Sequence, residues 1–295
     1  MIAAPYYWLG GGDPPNVTTV LDATGVEQIT LAFVLCGAGG TPMWDGVHPL
    51  TGGIAEAVIG AVRANGGDVT VCVGGDGGRK LGPNHGSEIA LAAAYQQIVD
   101  AYDLRYLDID IENSDEFQDA VVQDRILGAL RIVKQSNPGL TTIVTFPTSP
   151  AGPGPWGTRL IERAATLGAD IDVFTIMPFE FEVGAGTTGD MYADTVDAAG
   201  GLRDRLMAAF GWSGAEACAH LGISGMNGRS GRGELTTTAI WTRIRDWADE
   251  HHIARLAFWS INRDRACPGG ESGDNCSGIA QPDWAFTRIT AGSAG

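Results

Sequence analysis

The chain is short of positive charge. It has 19 basic residues against 35 acidic ones, and only Lys80 and Lys134 are lysines. The net charge of −16 argues against nucleic acid, because a polyanion would meet a surface of its own sign. Charged residues make up only 18% of the chain and apolar residues 44%, so a large core can form and a charge-dominated disordered chain is excluded. No apolar run approaches the roughly 18 residues of a membrane helix, so no membrane partner is expected. Neither a C-x-x-C pair nor a Cys/His cluster occurs, which leaves structural zinc without its usual ligands. The stretch GGDGG after Val73 lacks the GK[ST] ending of a phosphate loop, and WLGGGD opens no dinucleotide fingerprint. No metal and no other cofactor is expected.

Glycine, by contrast, is abundant: 43 of 295 residues, about twice its usual share of roughly 7%. Of the five cysteines, Cys36 and Cys72 sit in the apolar runs LAFVLC and VTVCV and Cys218 in a helix-like stretch, which fits buried free thiols. Cys267 and Cys276 bracket the polar PGGESGDN, a separation of nine that suits a disulfide pinning a loop. A disulfide points to an oxidising compartment and hence to a secreted, extracellular protein. The first residues, MIAAPYYWLGGG, lack the basic-then-apolar pattern of a signal peptide, so an exported protein is expected here in mature or trimmed form.

Short β-branched runs alternate with longer amphipathic stretches. The runs are APYYWL around Tyr6, QITLAFVL from Gln28, DVTVCV from Asp68, RYLDIDI from Arg105, TTIVTF from Thr141, IDVFTIM from Ile171, AHLGIS from Ala219 and ARLAFWSI from Ala254. The helix-like stretches cover residues 53–65, 87–102, 115–135, 155–167, 191–210 and 235–251, with Ser114 as the expected N-cap of the third. Strands alternating with helices imply parallel βαβ units, and nearly continuous apolar strands imply burial on both faces. The arrangement predicts a single α/β domain over residues 1–295, an eight-stranded parallel (β/α)₈ TIM barrel with outer helices.

The most telling stretch is Leu107-Asp108-Ile109-Asp110-Ile111-Glu112. Alternate strand residues share a face, so Asp108, Asp110 and Glu112 point one way and the aliphatic residues the other. Three acids then span about 13 Å on one face at ~3.3 Å per residue. An exposed edge strand would tolerate them but would leave the aliphatic residues needing separate cover, and Asp-x-Asp also occurs in magnesium sites. Stacked buried carboxyls otherwise serve acid–base chemistry, where neighbours push one another's pKa apart. Glu112 would end the fourth strand, at the rim where barrel active sites are built.

LDIDIE resembles the second half of the DxxDxDxE signature of glycoside hydrolase family 18, the chitinases and endo-β-N-acetylglucosaminidases, with Arg105 at the first acidic position. VCVGG at residues 71–75 is similar to the family's SxGG, with Cys72 in place of serine. IMPFE at 176–180 resembles MxYD, and LAFWSINRD at 256–264 resembles the eighth-strand segment whose tryptophan floors the sugar cleft. LAFV on the second strand and GISGM on the seventh fit more loosely. The layout is most similar to bacterial single-domain chitinases of actinobacterial type.

The resemblance implies endo-acting, retaining hydrolysis of β-1,4-N-acetylglucosamine linkages in chitin or chito-oligosaccharides, in which the substrate's own acetamide attacks and an oxazolinium forms. It makes Glu112 the acid and later the base, Asp110 the group that orients the acetamide, and Asp108 a deeper partner whose protonation is coupled to that of Asp110. Trp259 is expected to stack on the sugar, with Glu180, Met177, Tyr6, Trp44 and Phe33 as further substrate contacts. Phe179 stands where the family has a tyrosine, so the missing hydroxyl is sought at Tyr6, Tyr7 or Tyr192, while Asn227 and Arg229 fit a solvated loop. A monomer is expected. The alternatives are an endo-β-N-acetylglucosaminidase acting on other glycans and a lectin-like, catalytically weak chitin-binding protein.

Overall fold

The computed structural model describes residues 1–181, 184–269 and 271–292. Ten strands form one sheet: β1 Ile2–Ala3, β2 Tyr6–Trp8, β3 Gln28–Cys36, β4 Pro42–Trp44, β5 Asp68–Gly74, β6 Tyr106–Asp110, β7 Thr141–Pro147, β8 Val173–Met177, β9 Leu221–Met226 and β12 Arg255–Trp259. A separate hairpin pairs β10 Gly228–Arg229 with β11 Leu235–Thr236. The order in the sheet is β1-β12-β9-β8-β7-β6-β5-β3-β2 with β4 beside β3, and every pairing is parallel except β3 with β4.

The two ends of that order belong to one stretch of chain. β1 lies along β12 and β2 along β3, with only Ala4 and Pro5 between them. The Ala4 amide donates to the Leu256 carbonyl, and the Thr30 amide donates to the Pro5 carbonyl, so this stretch closes the barrel from both sides. At the mouth Asn262 fastens the seam, accepting from the Trp8 amide and donating to the Trp8 and Gly11 carbonyls. The result is the (β/α)₈ barrel that the alternation of elements predicted.

The outer helices include Ile54–Ala64, Glu88–Tyr102, Ala120–Ser136, Pro155–Leu167, Met191–Phe210 and Thr238–Glu250. Their ends follow local chemistry: Ser87 accepts from the Ala90 amide, and Pro155 opens a helix that Gly168 closes in the left-handed region. Two boundaries differ from expectation. The third helix begins at Ala120, not at residue 115, because Asp119 caps it through the Val121 and Val122 amides while residues 113–118 fold as turns. The last predicted stretch is divided: Leu235 and Thr236 pair in the hairpin, and the helix starts only after its Thr237 cap. Among the described residues no helix is long and apolar enough to cross a membrane.

Apolar side chains form two bodies. The larger lies between strands and helices and takes in Leu107, Ile109 and Ile111. The smaller, inside the barrel, consists of Tyr6, Ala32, Cys72 and Ala257 with Phe33 and Trp259 against it. These small inner residues leave room for polar groups within the barrel. Cys267 and Cys276 form the expected disulfide across a Cα–Cα distance of 5.1 Å, and Cys36, Cys72 and Cys218 are free and buried. Asp264 anchors the closing helix Ala285–Ala291, accepting from the Phe286 and Thr287 amides and the Thr287 hydroxyl.

Candidate active site

β6 places its aliphatic residues outward and its acids inward, as the alternation requires. The strand is shorter than expected. It runs from Tyr106 to Asp110, with Arg105 outside in an ion pair to Asp68 and Glu112 two residues past its end. One more bond, from the Ile111 amide to the Thr145 carbonyl, carries the extended chain toward Glu112. Exposure rises along the ladder: Asp108 is 0% exposed, Asp110 2%, and Glu112 half-buried at the mouth.

The three carboxyls have different surroundings. Asp108 Oδ2 lies 3.0 Å from Arg255 Nη2 and accepts from the Tyr6 hydroxyl at 2.8 Å, while Oδ1 accepts from the Thr145 hydroxyl at 2.8 Å. Asp110 has a buried oxygen, Oδ1, with no partner. Burial first, then the charges of Glu112 and Asp108, hold its carboxyl well above the usual range against the opposing pull of Lys80. Glu112 is pushed up to about 7, by burial first and then by Asp76, again against Lys80. An acid at the mouth that keeps its proton near neutrality is what protonating a leaving group requires.

The wall beside Glu112 depends on two glycines. Gly74 has φ +112°, and a Cβ there would lie 2.1 Å from the Asp110 carbonyl; Gly75 has φ +87° and rests against the Phe33 ring. Only glycine combines these conformations with such close approach. Lys80, 1% exposed, turns under the following loop and donates to the carbonyls of Gly75 and, at 2.6 Å, Gly77. Asn113 holds the same loop by donating to the Asp76 carbonyl.

Aromatic rings line the opening. Trp259 stacks on Phe33 with centroids 5.4 Å apart and an interplanar angle of 15°, and Trp8 and Tyr6 each lie 5.9 Å from it. Trp259, Phe33 and Trp8 are half-buried and present ring surface at the mouth. Met177 ends β8 and is buried.

Several predicted contacts lie elsewhere. Tyr6 is buried beneath the rings, its hydroxyl committed to Asp108, so it supports the ladder and offers no stacking surface. Trp44 is a core residue, 3% exposed, whose indole N–H donates to the Tyr102 hydroxyl at 2.8 Å. Glu180 is exposed and turns aside, Oε1 accepting from the Gly231 amide. The Tyr7 hydroxyl donates to the Pro15 carbonyl, and the Tyr192 ring lies under the Arg243 guanidinium, so neither replaces the tyrosine lost at Phe179. Arg229 is exposed as expected, whereas Asn227 is fully buried, pairing its amide with Ser260.

The sequence reading missed Arg255, Lys80 and Glu116. Arg255 was legible: it shares the inward parity of Ala257 and Trp259. Lys80 and Glu116 lie in loops, where no periodicity assigns a side.

No family model matches the chain. It is 25% identical, over an alignment of 307 residues and 98% of its own length, to a probable bifunctional chitinase/lysozyme of Escherichia coli (strain K12), and it spans about a third (34%) of that protein. It is similar to the catalytic domain of the hyperthermophilic chitinase from Pyrococcus furiosus, with a TM-score of 0.89 and 27% identity over 99% of this chain and 94% of that one. Catalytic-site mutants of active domain 2 of the Pyrococcus furiosus chitinase, complexed with chito-oligosaccharides, match with a TM-score of 0.89 and 26% identity over 99% and 93% of the two chains. The homologues of this chain are chitinases, and its fold is that of a glycoside hydrolase family 18 catalytic barrel.

Proposed function

We propose that the chain is an endo-acting, retaining hydrolase of β-1,4-linked N-acetylglucosamine in chitin or chito-oligosaccharides. The observation that carries this reading is the inward stack of Asp108, Asp110 and Glu112, rising from full burial to a mouth floored by Trp259 and Phe33. In this mechanism Glu112 gives its proton to the glycosidic oxygen as that bond breaks. The acetamide carbonyl oxygen of the substrate attacks the anomeric carbon from the opposite side and closes an oxazolinium ring. Asp110 accepts the acetamide N–H and stabilises the positive charge. Water, deprotonated by Glu112, then opens the ring with net retention. Trp259 offers a flat apolar face to the C–H face of the sugar. The disulfide supports export as part of this reading.

A second reading, an endo-β-N-acetylglucosaminidase acting on other glycans, is favoured by one observation: at the sixth strand Phe179 supplies no hydroxyl and Glu180 turns away to Gly231. Chito-oligosaccharides, colloidal chitin and a high-mannose glycan digested side by side separate the two. Cleavage of the first two is expected, and cleavage of the glycan alone would replace the first reading with the second. Anomer analysis of the fresh product checks the chemistry, since an inverted product excludes the oxazolinium route.

A further inference from the structure

Arg263 takes no part in the chemistry just described, yet it is buried, 5% exposed, and follows Trp259 closely in the chain. Among the described residues, each of its side-chain bonds goes to a carbonyl oxygen. Nη1 donates to Gly273, in the loop that the disulfide closes. Nη2 donates to Arg229 at 2.6 Å and to Asn227 at 3.2 Å, and Nε donates to the side-chain oxygen of Asn227 at 3.4 Å. One planar guanidinium thus ties together the disulfide loop, the β10–β11 hairpin and the chain leaving β9. A lysine ammonium offers no such fork.

Asn227 passes this restraint on to the aromatic mouth. Its backbone amide donates to the Trp259 carbonyl at 3.3 Å. Its side chain pairs with the Ser260 backbone at 3.2 Å in both directions, donating to the carbonyl and accepting from the amide. The paired register of β9 and β12 ends at Met226 and Trp259, so Asn227 extends it with a side chain in place of a strand. The segment that carries the indole is therefore held by Asn227, which Arg263 holds in turn.

The disulfide loop has no large apolar side chain of its own to bury, since Pro-Gly-Gly-Glu-Ser-Gly-Asp-Asn stands between the cysteines. Its Gly273 and Asn275 carbonyls accept from Arg263 and Arg265, and Arg265 also donates to the Asp13 carbonyl in the loop after β2. Beside Cys276, the Ser277 carbonyl accepts from the Arg229 amide at 2.8 Å, and Gly228 passes so close that no Cβ would fit against that carbonyl. The hairpin is seated directly on the chain at the disulfide. A polar segment of this composition gains little from burial to offset its ordering, so covalent closure is what keeps its carbonyls under the guanidinium.

We propose that the Cys267–Cys276 loop buttresses the aromatic platform: through the positioning residues Arg263 and Asn227 it fixes the Trp259 segment, and sugar affinity depends on the disulfide being closed. The inference rests on Trp259 being the sugar platform of the proposed hydrolase. Opening the bond withdraws the Gly273 carbonyl, leaves the buried Arg263 short of an acceptor, and frees Asn227 to shift together with Trp259. The carboxyl stack is mounted on β6 and keeps its geometry, so binding suffers and the chemical step does not.

Two measurements test the proposal, and the first needs no sugar. Tris(2-carboxyethyl)phosphine reduces the disulfide of the folded protein to two thiols and becomes the phosphine oxide, with water supplying the oxygen and the two protons. Reduction should change the near-ultraviolet circular dichroism of Trp259, which is packed against Phe33 and Trp8, and the change should vanish in Trp259→Phe. No change on reduction, or an equal change in Trp259→Phe, would overturn the proposal. This readout still decides the buttress if the protein cleaves no N-acetylglucosamine substrate and the proposed function fails. The second measurement separates KM from kcat on the β-1,4-linked tetramer of N-acetylglucosamine. The double variant Cys267→Ser/Cys276→Ser should raise KM about tenfold with kcat within about twofold of the wild type, and should raise it no further on a Trp259→Ala background. Arg263→Lys, which keeps the charge and loses the fork, should reproduce the rise with the disulfide intact. An equal rise on both backgrounds, a loss confined to kcat, or an unchanged KM in Arg263→Lys counts against the proposal.

Discussion

A carboxyl can act as an acid at neutral pH only if its surroundings oppose ionisation, and at Glu112 burial and Asp76 outweigh Lys80. Because its pKa is raised to about 7, Glu112 is protonated below that pH and loses the proton above it. The alkaline limb of kcat/KM should therefore fall near pH 7, about tenfold per unit, in a pH–rate series on a chito-oligosaccharide. Glu112→Gln should lower kcat by about 10²- to 10⁴-fold while leaving oligosaccharide binding measurable by calorimetry. Trp259 contributes contact area and no proton. Trp259→Ala should weaken binding about tenfold, roughly 1.4 kcal/mol, with little effect on the pH profile. The alternation of Asp108, Asp110 and Glu112 was legible in the sequence, while Trp259 came from the resemblance of LAFWSINRD to the family's eighth-strand segment. The misplacement of Trp44 and Glu180 has a different origin, because a residue after a strand end takes its direction from the loop, and here Tyr102 and Gly231 set it.

Asp264 illustrates what an element needs beyond periodicity. It lies just past β12, fully buried, and supplies the hydrogen-bond acceptor that the helix Ala285–Ala291 lacks at its own N-cap, Trp284. Asp264→Ala strands two amides and a hydroxyl in the interior and should cost about 2–3 kcal/mol in urea unfolding, while the pH limb of activity stays in place. The parallel barrel strands other than β1 and the main helices were legible because two-sided burial writes apolar runs and one-sided burial writes a 3.6-residue period. The turns at residues 113–118 and the hairpin of β10 and β11 were not. Their hydrogen bonds are made by Asp119, Asn113 and a strand partner close in sequence, without any apolar repeat.

Across the whole molecule, buried acids set how stability responds to pH. Glu116, 3% exposed, is pushed up to about 8, by burial first, against the opposing charge of Lys80. The folded chain therefore keeps a proton that the unfolded chain releases in the ordinary carboxylate range. Its share of stability is fully present below that range and is lost as pH climbs to about 8. Glu112 acts in the same direction up to about 7. Asp68 and Asp124 act in the opposite direction: despite burial, bonds from arginines hold them low, so stability also falls as they protonate in acid. Thermal unfolding should show greatest stability on the acid side of neutrality, and Glu116→Gln should flatten the decline toward pH 8.

The barrel seam carries a consequence for synthesis on the ribosome. The strands β1 and β2 are made early, but β12, the neighbour of β1, follows them by about 250 residues and begins only at Arg255. Until that segment emerges, β1 has no edge to join and Asp108 has no counterion. The nascent chain must hold an open sheet whose inner face carries three acids and no guanidinium. Closure of the barrel and neutralisation of its floor are thus one late event, and a chain released before Arg255 can complete neither.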